Sequence, residues 1–559
     1  MHFDADNRSQ RHSERKLQAL RTRRRLGAVA VAGAVAITAG ACGSASSGSK
    51  GSAAAASPTS GSGQPVYGGT ANVSIISDPP TLDWTSSTST VTRSVAANVF
   101  EQLFALDRNY TVRPMLATGY KVSNGGMTYT IPLRTGITFQ NGQPMTATDV
   151  VASIKRWEAI SSDGKLAAPN ITSISATDPA TVVIQLAKPY ASLISDLASS
   201  VQACIIIPAS IAQAAGETPL TTSQIIGTGP YKLTNWIHNQ EIELTAWKGY
   251  RPLPTADNWG GFAGHKVAYI QNLDYRIAPS SQIRLSGLET GEYTVSTALS
   301  SSALSEMKSM PNIKPILVSP ANALYVVFNK KVPPFTSLRM RQAINLVANK
   351  QQIAAAAFGA PQFWSLDPGM FYPQQKSLYT TAGNSVYKAY DPAKAKQLMK
   401  AAGYNSSRPI RILVTKSYPY MYKAGVTLAQ ELNDIGVKTD IIVYDWPTDL
   451  ATRKNPGAWD IFITGFAAEA DDPTQLLWIS PSYNGWYNSP QMQADLSQWE
   501  NATTSSAQST AITSIQKTEW EQLPAVKIAD QVKLSGISSQ LHGFQNFFAT
   551  VMWNTWLGH

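Results

Sequence analysis

Few side chains in this sequence have the type and spacing of a catalyst. Only His238, His265 and His542 lie between the basic N-terminal stretch and the terminal His559, and none falls within 321–525. A Ser-His-Asp triad or a histidine-held metal would have to use one of these three, and spacing alone leaves a triad open. The patterns GxxxxGK[ST], HExxH and GxSxG do not occur. A phosphate-cradling loop, a zinc-protease helix and a nucleophile elbow are therefore not written in their usual forms. Ser305-Glu306-Met307-Lys308 fits the SxxK pattern of acyl-serine enzymes, but no KTG accompanies it, and so short a match arises by chance. Gly227-Thr228-Gly229-Pro230 is glycine-rich, yet Pro230 lacks the amide that a phosphate would use, so it reads as a turn. Two cysteines, Cys42 and Cys204, exclude a disulfide scaffold and a cysteine-based zinc ribbon. Cys204 lies in the apolar stretch Val201–Ile207 and reads as an inert buried thiol. The expectation is a protein without catalytic residues, metal or cofactor.

A chain of 559 residues is several times the typical domain of about 150, so two or three domains are expected. Apolar residues at 43% supply large cores, and charged residues at 15% leave a surface rich in Ser, Thr, Asn and Gln. Thr70–Ile76, Met127–Leu133, Thr181–Leu186 and Glu241–Ala246 alternate as strands do. Thr146 to Asp149 resembles a capping box. It opens a helix with Val150, Ile154 and Trp157 on one face and Lys155, Arg156 and Glu158 on another. Asp391-Pro392 caps a helix whose stripe is Ala395, Leu398, Met399 and Ala402, closed by Gly403. Thr427–Ile435 reads as a further helix, followed by strands Val437–Tyr444 and Trp459–Thr464, and Ala502–Thr513 as a loop or a helix surface. The fold class is mixed α/β with at least two lobes.

The N-terminus reads as an address. Half of the net charge of +10 sits in residues 1–41, with eight basic against three acidic side chains. The remaining body has no Lys/Arg block, which argues against a nucleic-acid partner. The basic region ends at Arg25, Leu26–Ala39 is apolar, and Ala39-Gly40-Ala41-Cys42 precedes a Gly/Ser/Ala tract reaching about Pro65. The apolar stretch is too short for a permanent membrane span, and no run of about 18 apolar residues follows it. It reads as a cleaved export signal. The small residues before Cys42 resemble a bacterial lipoprotein signal, in which Cys42 becomes the acylated N-terminus and 42–65 a flexible tether. An ordinary cut near Ala41 is the alternative, and Thr22-Arg23-Arg24-Arg25-Leu26 leaves the general and twin-arginine routes both open.

A succession of motifs carries a wider resemblance. Gly68-Gly69-Thr70 leads to Ile76-Ser77-Asp78-Pro79-Pro80-Thr81-Leu82-Asp83, then to Asn98-Val99-Phe100-Glu101-Gln102-Leu103 and Arg113-Pro114-Met115-Leu116-Ala117. Met127–Phe139, Asn141–Val150 and Gly227–Leu233 follow, with Arg339-Met340-Arg341-Gln342-Ala343-Ile344-Asn345, Tyr390–Ala395 and Trp459-Asp460-Ile461-Phe462 beyond them. In that order, over essentially 65–559, the chain resembles the extracytoplasmic solute-binding proteins of family 5, the peptide/nickel type that serve ABC importers. The resemblance implies an α/β, two-lobed periplasmic-binding-protein-like clamshell of class II type with an extra domain inserted in lobe one. Lobe one would combine 66–113, 221–320 and 526–559, the extra domain 114–220, and lobe two 321–525. The chain would cross between lobes near Ser319–Leu324 and Pro524–Lys533. The implied protein is a monomer at the outer face of the cell membrane, anchored through Cys42, that captures a solute and delivers it to a membrane permease.

The same resemblance implies the contacts. Peptide-binding members hold the ligand's α-ammonium with an acidic residue that falls here on Glu469, in Gly465–Pro473, with Asp471 and Asp472 nearby. The alternative is that these carboxylates cap the next turn. The loop Trp84–Thr92 corresponds to a ligand loop, which gives Trp84, Thr90 and Val91. Phe363, Trp364 and Trp446 would add aromatic walls from lobe two. Asn98 and Arg341 read as structural, and Tyr483, Trp486 and Tyr487 as a surface loop. A di- or oligopeptide is the first expectation for cargo. An oligosaccharide, a metal chelate or another polar solute, a ligand-sensing receptor without import, and an exported hydrolase are the alternatives.

Overall fold

The structure, a computed structural model, describes residues 64–405, 407–467, 472–502 and 504–558. The expected signal, Cys42, most of the tether, Glu469 and Asp471 lie outside these residues. A mixed sheet of eleven strands runs through the molecule. On one side stand Val295–Leu299, Thr70–Ile75, Asn272–Ile277, Glu241–Ala246 and Tyr231–Ile237, in that order. On the other stand Ile461–Ala467, Ile410–Thr415 and Thr439–Tyr444. Two long strands, Ile313–Phe328 and Ala525–Ser538, join the two sides by pairing antiparallel from Ile313↔Ser538 to Val327↔Ala525. A separate four-stranded sheet, Lys121–Ser123, Thr128–Pro132, Thr181–Leu186 and Ile171–Asp178, forms the extra domain with the helix Ala147–Ile160.

The parallel pair Ile410–Thr415 and Thr439–Tyr444 needs a crossover, which the helix Pro419–Asp434 supplies. That helix begins at Pro419 and not at Thr427. Pro419 sits in its first turn, where a missing amide costs nothing, and Met421 and Ala424 extend its buried face. Gly425 lets it lie close to the sheet, since a Cβ there would meet Val414 at 2.4 Å. The strands Thr181–Leu186 and Glu241–Ala246 have the expected ends. Asp391 caps Pro392–Ala401 by accepting from the Lys394 amide, and Asp149 accepts from the Thr146 amide at 2.8 Å to complete the box on Ala147–Ile160. Ser505–Gln522 is a helix.

Apolar side chains gather in each region. Val73, Leu273, Tyr275 and Val295 anchor the first lobe, and Ile131, Trp157, Ile184 and Leu197 the extra domain. Ile344, Ile412, Leu428 and Val526 fill one face of the second lobe's sheet, and Tyr325, Phe462, Trp478 and Ile515 the other. Two expectations are corrected, and Arg156, on the face away from Val150, Ile154 and Trp157, is buried. Its guanidinium pairs with buried Asp83 and donates to the Thr218 carbonyl, so it ties the loop after the first strand to the extra domain. Tyr483, Trp486 and Tyr487 are packed rather than on a surface loop. Trp486 stacks on Trp459 at 5.7 Å and the Tyr487 hydroxyl donates to Gln522 Oε1 at 2.6 Å. The expected loop through Thr92 becomes the helix Thr90–Ala96, capped by Ser89, whose hydroxyl accepts from the Thr92 amide. The run Thr-Val-Thr masks this helix because β-branched residues favour strands.

Candidate functional site

The two long strands bring the candidate site together. Their ladder is regular except between Val318 and Asn322, where residues 319–321 face Val532 alone. Such a bulge bends the strand and interrupts the ladder, and Pro320 has no N–H to donate to it. A cavity of about 170 Å³ opens beside the bulge. Its lining includes Asn322 and Lys533 from the long strands, Thr90 and Val91 from the first helical turn, and Ala298 and Phe548. Asn322 donates to Gln531 Oε1 at 3.0 Å, which fixes its amide across the two strands. Ala298 takes a φ of 51°, a left-handed conformation that costs a non-glycine residue about 1 kcal/mol or more.

A second cavity, of about 490 Å³, adjoins the first, and Ala467 borders both. One wall, from the extra domain, carries Leu166 and Val201; the opposite wall carries Met370, Tyr372, Phe466 and Trp478. Behind the second wall the polar groups are buried. The Trp478 Nε1–H donates to Glu519 Oε1 at 2.6 Å, and burial pushes the Glu519 carboxyl up to about 8, against the Trp478 hydrogen bond and the attraction of Lys527. Lys527 Nζ forms an ion pair with Asp530 Oδ1 at 2.8 Å and donates to the Gly369 carbonyl at 2.6 Å. Burial raises Asp530 to about 6, with Lys527 opposing. The Lys527–Gly369 bond holds the turn that precedes Met370, so it positions that wall.

Beyond the second cavity the extra domain joins the second lobe directly. Asp472 Oδ2 accepts from Ser192 Oγ at 2.6 Å and from Trp499 Nε1 at 2.9 Å, and Oδ1 accepts from the Thr474 amide at 2.8 Å. Gln475 Nε2 donates to Asp196 Oδ1 at 3.2 Å, which in turn places the Tyr190 hydroxyl on Oδ2 at 2.6 Å. Each carboxylate is fully buried and receives several donors, the condition under which a buried charge is tolerated.

The expected contact residues divide. Thr90 and Val91 line the smaller cavity. Asp472 lines neither; it caps Pro473–Gln475, the alternative reading of these carboxylates, and bonds across the seam. Trp84 is corrected. It is buried against Phe262 and donates to the Ser200 carbonyl, because a large indole on a Ser/Thr-rich loop gains most by joining the core. Phe363 is buried in the second lobe's core. Trp364 pairs with Gln531 on a long strand, and Trp446 opens a helix beside Tyr418 and Arg453; neither lines either of these two cavities. Asn98 and Arg341 are structural: Asn98 binds Ser94 and Tyr275, and Arg341 binds the Gln522 carbonyl. Phe466, Tyr372, Trp478 and Asn322 were not legible as site residues, although Phe466 lies inside the quoted segment Gly465–Pro473. Cys204 is buried and free, and burial raises its thiol pKa, as expected of an inert group. Among the described residues no cluster could hold a metal, and no helix is long and apolar enough to cross a membrane.

Two lobes, an inserted domain and a ligand-sized cleft at the seam define a periplasmic-binding-protein-like clamshell. The chain belongs to the bacterial extracellular solute-binding proteins, family 5, whose middle region matches residues 111–488. It is 27% identical, over 85% of its length and 91% of the relative's, to a Sinorhizobium fredii protein named "Probable peptide ABC transporter periplasmic-binding protein". Its fold superposes with a TM-score of 0.73 on an Agrobacterium tumefaciens binding protein in complex with agropinic acid, at 22% identity over 88% of this chain and 99% of that one. It also superposes with a TM-score of 0.72 on a Pseudoalteromonas dipeptide-binding protein in complex with Met-Leu, at 20% identity over 88% and 100%.

Two outcomes follow from the buried carboxylates. Asp472→Ala strands four donors and is expected to lower unfolding stability by about 3 kcal/mol or more in denaturant melts. Lost ligand affinity at unchanged stability would instead make Asp472 a ligand contact. Glu519 binds a proton in the folded state that the unfolded chain releases above its ordinary value of 4.5, so this group's contribution to stability falls as pH rises from about 4.5 to about 8. Glu519→Gln keeps the acceptor for Trp478 and removes that dependence. Its melting temperature should exceed the native protein's by a margin that widens between pH 4.5 and 8.

Proposed function

We propose that this protein is the extracytoplasmic receptor of an ABC importer: a monomeric lipoprotein, anchored through Cys42 to the outer face of the cell membrane, that encloses a di- or oligopeptide between its lobes and passes it to a membrane permease. The observation that carries this reading is the pair of adjoining cavities at the seam, one where Asn322, Asn546, hydroxyls and Lys533 stand among apolar side chains, the other walled by Tyr372, Phe466 and Trp478. A peptide has the same two characters, a polar backbone and projecting side chains. The relative named for peptide transport supports the same cargo.

In this reading lobe one comprises 66–113, 221–320 and 526–559, the extra domain 114–220 and lobe two 321–525. The long strands act as the hinge, at the break in their ladder between Val318 and Asn322. Ligand acts by stabilising the closed population, and no bond is made or broken. Glu469 is the candidate partner of the peptide's α-ammonium. In sequence it stands two residues after Ala467, which borders both cavities, and three before the buried cap Asp472. A desolvated carboxylate there would meet the ammonium in a charge-assisted hydrogen bond.

Mass spectrometry of small molecules released by denaturing the natively purified protein tests the cargo. Peptides of narrow length are expected, and a glycan or a metal chelate in their place rejects the reading. Glu469→Ala should weaken peptide binding by at least about 2 kcal/mol, and N-acetylating the peptide should cost the native protein as much and the variant nothing further. Additive losses would place the ammonium elsewhere. Cys42→Ala should move the protein from the membrane fraction to the soluble one, and unchanged retention would reject the lipid anchor.

A further inference from the structure

We propose that the larger cavity is a selectivity pocket for one bulky, uncharged apolar group of the ligand. The proposal takes from the peptide reading only the frame that carries this group, an aromatic or branched aliphatic side chain. Its size is the first argument: about 490 Å³ compares with the roughly 150 Å³ apolar cavity that takes up a benzene ring. There is room for a large side chain and part of its backbone.

The walls give the second argument. Phe466, Trp478, Tyr372 and Met370 face Leu166 and Val201, and among the described residues no lysine or arginine lines the space. Among the described residues Asp163 is the one carboxylate on the lining, and it is buried at the start of the helix Ser162–Ala167. An acidic group would therefore meet a like charge and no cation. A neutral polar group would have to compete for lining side chains that already hold partners: Gln202 accepts from the Ser162 amide, Gln375 accepts from the Tyr372 amide, Thr474 donates to Asp472 and Gln475 donates to Asp196.

The apolar wall is also held in place. Trp478 lies with its ring centroid 4.5 Å from Tyr325 and 4.8 Å from Phe466, and its Nε1–H is fixed on Glu519. The indole cannot turn away without breaking a buried hydrogen bond, so the wall is preorganised and little side-chain entropy is lost on binding. On the lip, Leu166 and Leu477 are each 47% exposed. Neither serves a core, and both border the cavity.

The location gives the last argument. An occupant touches Leu166 and Val201 on the extra domain and Phe466 and Trp478 on the second lobe at once. Apolar area is removed from water on both walls only when they face each other, at about 25 cal/mol per Å². The group that fits is therefore also the group that favours closure. The polar part of the ligand is left to the smaller cavity, with Asn322 and Thr90.

The test is calorimetry on the full-length protein with tripeptides of alanine in which Phe, Leu, Ser, Asp or Lys replaces each alanine in turn. At one position Phe and Leu should bind at least tenfold more tightly than Ser, Asp and Lys. Leu166→Asp and Leu477→Asp, both at exposed positions and checked for native melting, should collapse the margin between the Phe and Ser peptides to under twofold. Equal affinities at every position overturn the pocket while the peptide reading stands. A preference for Lys, which would assign the selection to Asp163, also overturns it. If no tripeptide binds, the peptide frame fails and 4-phenylbutanol decides: binding lost in Leu166→Asp upholds the apolar pocket, and no binding to the native protein overturns it.

Discussion

The pairing of Ile313–Phe328 with Ala525–Ser538 is the constraint on which the rest depends. Each strand continues the sheet of one lobe and then the sheet of the other, so neither half can form its edge alone. The residues that border the smaller cavity lie where the ladder breaks, and Ala467, at the end of the strand Ile461–Ala467, belongs to the neighbouring rung. The cleft is thus a property of this interruption. A continuous ladder would leave the two halves as one rigid sheet with no bend between them.

Around that spine the buried charges act as fasteners. Asp83 with Arg156 holds the extra domain to the first strand's loop, Asp472 with Ser192 holds it to the second lobe, and Lys527 with Asp530 and Gly369 holds the turn before Met370. Each carboxylate has its partners in place, so each contributes orientation at small net cost. Removing one partner costs far more than the pair contributes, because the other is left charged and dry.

The fold was largely written in local signals. Alternation over Thr181–Leu186 and Glu241–Ala246 and the caps at Thr146 and Asp391 each report an interaction within a few residues. The motif succession from Gly68 to Trp459 then specified the architecture. The site was less legible. Thr90 and Val91 came through the resemblance, although their helix was hidden by β-branched residues. Trp84 and Phe363 were expected in the cleft because they are aromatic, and the core takes them for the same reason. Asp472 has the Asx-Pro signature of a cap and is one. Met370, Tyr372 and Trp478 meet only through tertiary contacts, and Arg156 joins Asp83 across 73 positions of sequence, which no periodicity encodes.

The sheet order has a further consequence for the history of each molecule. Thr70–Ile75 lies between Asn272–Ile277 and Val295–Leu299, and the next rung inward is Ala525–Ser538. The strand nearest the start of the described chain is therefore closed in by partners made much later, and the spine is completed by a segment far downstream of it. Loop closure over such spans is slow, and no early fragment can finish the eleven-stranded sheet, whereas the four-stranded sheet of the extra domain lies wholly within 121–186. In a chain emerging N-terminus first, the edges of Thr70–Ile75 therefore stay unpaired while some two hundred further residues follow, so the main sheet closes late while the extra domain can close early.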